Sequence, residues 1–219
     1  MNRAIKITLA ASLLAGLTAC GNTTGDDGDV GALGVVTQTA AEMIAQRRQA
    51  DTTAAVAKTP QEAAAEALRV NPGPLIQAGF ENLGRTQIMA MTGQNGGLRT
   101  YMTPSEEALI LRGGMLVGTR GLGHDLSVAE AQTESLIRAG ASGSGTRIMR
   151  YYGGDGLERP LQFTCSVGPG PRAGVTVENC EGHGVTFQNS YMRSGNQIAV
   201  SRQWIGPKLG YVTIQTLRP

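Results

Sequence analysis

The sequence predicts a mainly β fold: an antiparallel meander sheet curled into an open or closed barrel. One or two amino-terminal helices and a short inserted helix complete it. Three observations predict this class. About ten short segments of strand character follow residue 72, each bounded by Gly-, Asn- or Pro-rich turn chemistry. Glycines number 31 while aromatic residues make up 4% of the chain, which suits tight turns and sheet better than a helical bundle. The turns between the segments are brief, as in meanders and barrels.

The chain opens on a short basic stretch, Met1 to Lys6, followed by Ile7 to Ala19, a run of small and apolar residues broken only by Thr8, Ser12 and Thr18. A permanent span needs roughly 20 apolar residues, so residues 1–19 read as a signal peptide. The run ends in Leu17-Thr18-Ala19-Cys20, which matches the lipobox of bacterial lipoproteins at all four positions. The small residues Thr18 and Ala19 give a peptidase access, and the Cys20 thiol is the expected lipid acceptor. Resemblance to that class implies a thioether-linked diacylglycerol and an amide-linked acyl chain on Cys20. Each buried methylene contributes about 0.8 kcal/mol, so several chains anchor stably where one does not. Gly21 follows; in enterobacterial sorting an Asp there favours the inner membrane, so the periplasmic face of the outer membrane is expected.

Residues 20–36, rich in Gly, Asp and Thr, read as a flexible tether. Residues 37–71 read as a helical segment. Thr37 to Arg48 is composed of good helix formers, and Thr59-Pro60-Gln61-Glu62 is a capping box with proline at the first helical position. Ala63 to Val70 continue that helix, and Asn71-Pro72-Gly73-Pro74 stops it. Residues 72–219 form the β-rich domain. Strands are expected at Pro74–Glu81, Arg85–Met91, Gly97–Met102, Ala108–Arg112, Thr146–Tyr152, Leu157–Cys165, Gly174–Val177, Val185–Tyr191, Gln197–Ile205 and Tyr211–Leu217. Ser127-Val-Ala-Glu130 is a second capping box, expected to open a short helix to about Ala139, with Gly140–Gly145 as the loop after it. Along Ile198, Val200, Arg202 and Trp204 one face is apolar apart from the arginine.

Arg3 and Lys6 fall in the segment to be removed, which leaves seventeen basic against seventeen acidic side chains. A chain of zero formal charge lacks the footprint that nucleic acid or anionic lipid would demand. Once Cys20 is acylated, Cys165 and Cys180 remain, an even number in an oxidising compartment. They flank Gly168-Pro169-Gly170-Pro171 and read as a disulfide across a β-hairpin; two unpaired buried thiols are the alternative. The valines of Val175-Thr-Val-Glu-Asn-Cys180 share a face that strict alternation denies to Cys180, so a disulfide on the core face is expected to need a bulge near Glu178-Asn179.

No metal or cofactor site is expected, because neither His124 nor His183 has a partner at ligand spacing. Both lie in Gly-rich turns beside a carboxylate. Gly140-Ala-Ser142-Gly-Ser144 fails as a nucleophile elbow at its last position, and no complete dinucleotide-binding glycine motif is present. Asp125, Glu134, Asp155 and Glu158 lie near loops, but any chain with as many acids offers such pairs. Tyr151, Tyr152, Tyr191, Trp204 and Tyr211 could stack on sugar rings, although such aromatics more often pack cores. No catalytic residue is assigned.

Gly113-Gly-Met-Leu-Val-Gly-Thr-Arg-Gly-Leu-Gly-His-Asp-Leu126 resembles a stretch of the YjbF/GfcB family of lipoproteins. Gly195-Asn-Gln-Ile-Ala-Val-Ser-Arg-Gln-Trp204-Ile-Gly-Pro207 through Gly210-Tyr211 resembles that family's final strands. Asn95-Gly-Gly-Leu with Tyr101, and the Cys165/Cys180 pair, fit its alphaproteobacterial branch. The resemblance implies an outer-membrane lipoprotein, without enzymatic activity, that serves capsule or exopolysaccharide assembly. Its implied partners are the membrane, polysaccharide-export proteins or the polysaccharide itself. A carrier holding a lipid or glycolipid in a curved sheet, and a glycan hydrolase, are the competing expectations. Physically, Gly121 and Gly123 suit a tight turn or close backbone approach, and Asp125 suits a turn cap.

Overall fold

The structure, a computed structural model, describes residues 58–195 and 197–219. The expected signal peptide, Cys20, the tether and the helix at Thr37–Arg48 lie outside the described residues.

Helix α1, Pro60–Val70, begins as its sequence dictates. The Thr59 hydroxyl accepts from the Glu62 N–H (3.3 Å), while the Glu62 carboxylate accepts from the Thr59 N–H (2.8 Å). Asn71, extended before Pro72, ends it. The Arg218 guanidinium donates to the carbonyls of Leu68 and Asn71, two of the orphan acceptors at the helix end.

Twelve strands follow: β1 Leu75–Phe80, β2 Arg85–Asn95, β3 Leu98–Met102, β4 Ala108–Arg112, β5 Met115–Arg120, β6 Leu126–Ala131, β7 Gly143–Tyr152, β8 Glu158–Pro169, β9 Val175–Gly182, β10 Val185–Ser194, β11 Gln197–Gly206 and β12 Gly210–Arg218. Helix α2, Glu134–Ala139, lies between β6 and β7. The spatial order is β5-β4-β3-β2-β1-β12-β11-β10-β9-β8-β7-β6, with every described pairing antiparallel. Every ladder therefore joins strands adjacent in sequence except the one between β1 and β12, and of the sequence neighbours only β5 and β6 share no ladder. The mainly β meander expected from the sequence is present, curled into a nearly closed barrel.

Two strands and one helix start differ from expectation. β5 and β6 occupy a stretch with no expected strand, and the capping box at Ser127–Glu130 lies inside β6. A Ser-x-x-Glu pattern caps a helix only when a helical apolar period follows. Here Ser127 instead donates to Glu158 (2.8 Å), and Glu130 reaches Arg150 of β7 at 3.6 Å. The helix starts only at Glu134; its N-cap Thr133 makes no side-chain cap bond, and Gly140 closes it in the left-handed conformation.

The bulge expected beside Cys180 is absent. β8 and β9 pair in unbroken register from Thr164↔Glu181 to Pro169↔Thr176, with Cys165 directly opposite Cys180. The disulfide joins them with a Cα–Cα distance of 4.1 Å. Thr176, Glu178 and Cys180 share the inward face of β9, and the valines face the other way. The inward residues there are polar, so choosing the core face by its valines inverted the strand. In β11 the opposite happened. Met192 pairs with Val200 but Arg193 with Ile198, so a bulge breaks the expected apolar face. Ile198, Ser201 and Gln203 are buried, and Arg202 turns outward to Glu81 (2.5 Å).

The barrel interior is filled. Ile76, Phe80, Met89, Leu109, Leu126, Ile205 and Val212 form one continuous cluster. Within it Trp204 stacks on Phe187 with centroids 4.4 Å apart, and Phe163 meets Phe187 edge-on at 5.0 Å.

No ladder joins β5 to β6, the two ends of the strand order. Side chains close the gap instead. Arg120 donates to the carbonyls of Leu126 (3.2 Å) and Ser127 (3.4 Å), and Thr119 Oγ1 accepts the Leu126 N–H (3.0 Å). Asp125 holds that hydroxyl (2.8 Å) and caps the turn through the Leu122 N–H (3.2 Å). Gly118 lets the strands approach: a Cβ there would sit 3.0 Å from the Ser127 carbonyl oxygen. At Gly121, where φ is +77°, a Cβ would lie 2.9 Å from the Glu106 carbonyl oxygen.

Candidate functional site

The meander has two ends. The turns after β2, β4, β8 and β10, together with α2, lie at one, here the helix end; the remaining turns lie at the other. The helix end carries the unusual chemistry.

Beneath α2 lies a buried ion pair. Arg147 of β7 and Glu178 of β9 are almost fully enclosed and meet at 2.7 Å. Glu178 also accepts from Asn189 Nδ2 (2.9 Å), the Tyr191 hydroxyl (3.2 Å) and Thr133 at the start of α2. Burial opposes ionisation of Glu178, but Arg147 and these donors outweigh it and hold its carboxyl below the usual range. Burial pushes the Tyr191 phenol well above its ordinary value, so it stays protonated. The Thr133–Glu178 hydrogen bond ties the start of α2 to β9, while the others join β7, β9 and β10. Glu178 also lies near both cysteines, with ligand-type atoms of the three within 4.8 Å. The sulfurs are joined to each other and offer no thiolate, so the group is ill suited to a metal ion.

Beside this cluster a cavity of about 380 Å³ opens at the helix end. Its floor is apolar: Ile76, Tyr101, Leu111 and Ile198. Its rim is polar, with Gln94, Arg99, Arg112, Arg138, Gln197 and Thr216. Arg99 pairs across the sheet with Gln94 and Leu111 and shares its face with Tyr101 two residues on, so it points inward. Arg112 and Arg138 grip Glu134 from both sides, at 2.6 and 3.0 Å. Arg138 also donates to the Arg112 carbonyl (2.9 Å), a reach that bare Gly113 permits, since a Cβ there would lie 2.1 Å from the guanidinium. All three stretches that carry the family resemblance contribute: Gly96, Gly97 and Tyr101 from one, Gly113 and Gly114 from another, Gln197 and Ile198 from the third.

A second cavity, about 340 Å³, lies at the opposite end between Gly123-His124-Asp125, Tyr151, Tyr152 and Gly206–Leu209. Tyr151 is tied to the Ile205 carbonyl (2.5 Å), whereas Tyr152 is two-thirds exposed. Of the other aromatics weighed from sequence, Tyr191 and Trp204 are in the core, and Tyr211 lies under the Arg202 guanidinium at 3.4 Å. His183 forms the β9–β10 turn with Gly184, both at positive φ, and its Nε2 accepts from the Gln162 N–H (3.2 Å).

The four loop carboxylates are not gathered into a cleft. Asp125 belongs to the β5–β6 closure and Glu134 to the arginine clamp at the other end. Glu158 accepts from Ser127 (2.8 Å), and Asp155 is bound by Arg159 (2.6 Å). Arg159 and the Leu157 N–H hold Asp155 down to about 2. A general acid needs the opposite shift.

The sequence reading missed Arg99, Arg112 and Arg138, and the Arg147–Glu178 pair. Alternation would have found two of these: Arg99 sits two residues before Tyr101, and Arg147 two before Met149, each on an inward face.

The fold and its side-chain closure define an antiparallel meander barrel. A solved structure of similar shape is that of the hypothetical lipoprotein YmcC from Escherichia coli K12, with a TM-score of 0.59 and 15% identity. The likeness covers 88% of this chain and 98% of that one, and shows the fold. No curated protein matches the chain in sequence. The family model of the group 4 capsule polysaccharide lipoproteins, GfcB and YjbF, matches residues 38–217, and the chain belongs to that family. The resemblance drawn from its motifs is thereby shown, and with it an association with capsule polysaccharide.

Proposed function

We propose that this protein is a non-enzymatic accessory factor for export or assembly of a surface polysaccharide. In this reading it is held by lipid on Cys20 at the periplasmic face of the outer membrane. The observation that carries the reading is the cavity at the helix end, where all three family motifs converge on guanidinium, amide and apolar groups. Glu134, the carboxylate held by two of the rim arginines, is gripped between them and is a poor candidate for acid–base work. The lipid-carrier reading requires an apolar cavity. Among the described residues the interior is packed with side chains and the open space at the helix end is rimmed by arginines, which favours the first reading.

Deletion of the gene is expected to lower surface polysaccharide, and the purified protein is expected to leave that polysaccharide at unchanged chain length. Shortening of the glycan by the pure protein would refute the non-enzymatic role. Palmitate labelling that disappears in Cys20→Ser, with loss of outer-membrane fractionation, tests the anchor.

A further inference from the structure

We propose that the cavity at the helix end binds a single acidic sugar residue: a pyranose carrying an anionic carboxylate or phosphate group. The proposal rests on the polysaccharide role above and names the chemistry that this role would handle.

Arg99 is the starting point. It points inward, and among the described residues no carboxylate or hydrogen-bond acceptor engages it, while Arg112 and Arg138 share Glu134. Half-buried at the cavity mouth and without a counter-charge among the described residues, the Arg99 guanidinium is available to pair with an anionic ligand. Arg112 and Arg138 share the single carboxylate of Glu134, and Arg99 has none, so positive charge remains over at the rim. A guanidinium suits the paired oxygens of a carboxylate or phosphate.

The rest of the cavity is suited to a sugar ring. Gln94 and Gln197 each offer amide donors and an acceptor to hydroxyls. The apolar floor at Tyr101 and Ile198 suits the aliphatic face of a pyranose. The volume, about 380 Å³, lies at the small end of the range for small-molecule sites, roughly 300–1,000 Å³. Gly96 and Gly97 leave one wall without side chains. At Gly97, where φ is not positive, a Cβ would meet only Arg112 Cγ at 3.8 Å, so the space is open.

The test is calorimetric titration of the purified full-length lipidated protein in detergent. The probes are glucuronic acid, glucose 1-phosphate, glucose and inorganic phosphate. An acidic sugar is expected to bind at least tenfold more tightly than either glucose or inorganic phosphate, and the preferred acidic sugar distinguishes carboxylate from phosphate. Arg99→Gln is expected to weaken that binding at least tenfold, and Arg202→Gln on the outer face to leave it unchanged. Gly97→Leu, which occupies the cavity without altering charge, is expected to abolish it. Equal binding of glucose or of inorganic phosphate, no binding by any sugar, or indifference to Arg99→Gln would each overturn the proposal. Complementation of a deletion strain separates the two readings. If the wild-type gene restores polysaccharide while no probe binds, only the ligand assignment fails; if deletion causes no polysaccharide defect, the accessory role fails.

Discussion

Two arginines point into this barrel near the same end, and they live in opposite circumstances. Arg147 is enclosed and fully answered by Glu178 and Tyr191, with the carboxylate in turn held by Asn189 and Thr133. Arg99 faces an open cavity and meets no carboxylate among the described residues. The first arrangement fixes the fold and leaves nothing over for a ligand. The second leaves a charge over and fixes nothing. Position on an inward face therefore does not reveal what a charged residue does; the completeness of its partnership does.

A graded set of experiments would break or sharpen that contrast. Glu178→Gln strips Arg147 of its counter-charge and is expected to cost about 3–5 kcal/mol in denaturant unfolding. The double variant Arg147→Met/Glu178→Leu is expected to recover most of that loss, because no unpaired charge stays buried. The pair also predicts a pH dependence. The folded-state pKa of Glu178 lies below its ordinary 4.5, so its contribution is complete above that value and is lost as pH falls through the depressed pKa. Unfolding curves from pH 7 downward should show the wild type beginning to lose this increment below pH 4.5 and Glu178→Gln lacking it.

Next in size is the disulfide. Cys165→Ser/Cys180→Ser is expected to lower stability by about 3 kcal/mol in the chain-entropy account. Sugar binding at the Arg99 cavity, on other strands, should persist. Thr119→Val removes the acceptor of the Leu126 N–H between β5 and β6 and is expected to cost about 1–3 kcal/mol. Amide exchange should show protection lost along β6 before the rest of the sheet. The smallest change is expected from Arg99→Gln, within about 0.5 kcal/mol of the wild type. A large destabilisation there would show that Arg99 has a structural partner and would collapse the contrast.

Much of the fold was legible because its local signals agree with the final packing. The Thr59 capping box, the hairpin turns and the cysteine spacing each specify contacts close in sequence. The errors arose where the decisive contact is distant. The Ser127 pattern reads as a helix start until Glu158 and β7 are in place. The inward face of β9 is polar because Arg147, from another strand, compensates Glu178. At the β5–β6 turn, by contrast, the close approach expected of Gly121 and the cap expected of Asp125 are both present. The candidate site was only partly legible: its glycines and Tyr101 stood in motifs, but its arginines are ordinary surface residues until the sheet curls.

The pairing of β1 with β12 carries a consequence for how the molecule is made. Every other ladder joins strands adjacent in the chain, which can zip as soon as both have emerged, at small loop-closure cost. β1, near the start of the described chain, must wait for Gly210–Arg218 at its end. A ribosome or translocon releasing this protein residue by residue would thus hold it as two unfinished half-sheets until the last strand is free. A chain truncated before Gly210 should remain protease-sensitive throughout, whereas one truncated before Pro60 should still close.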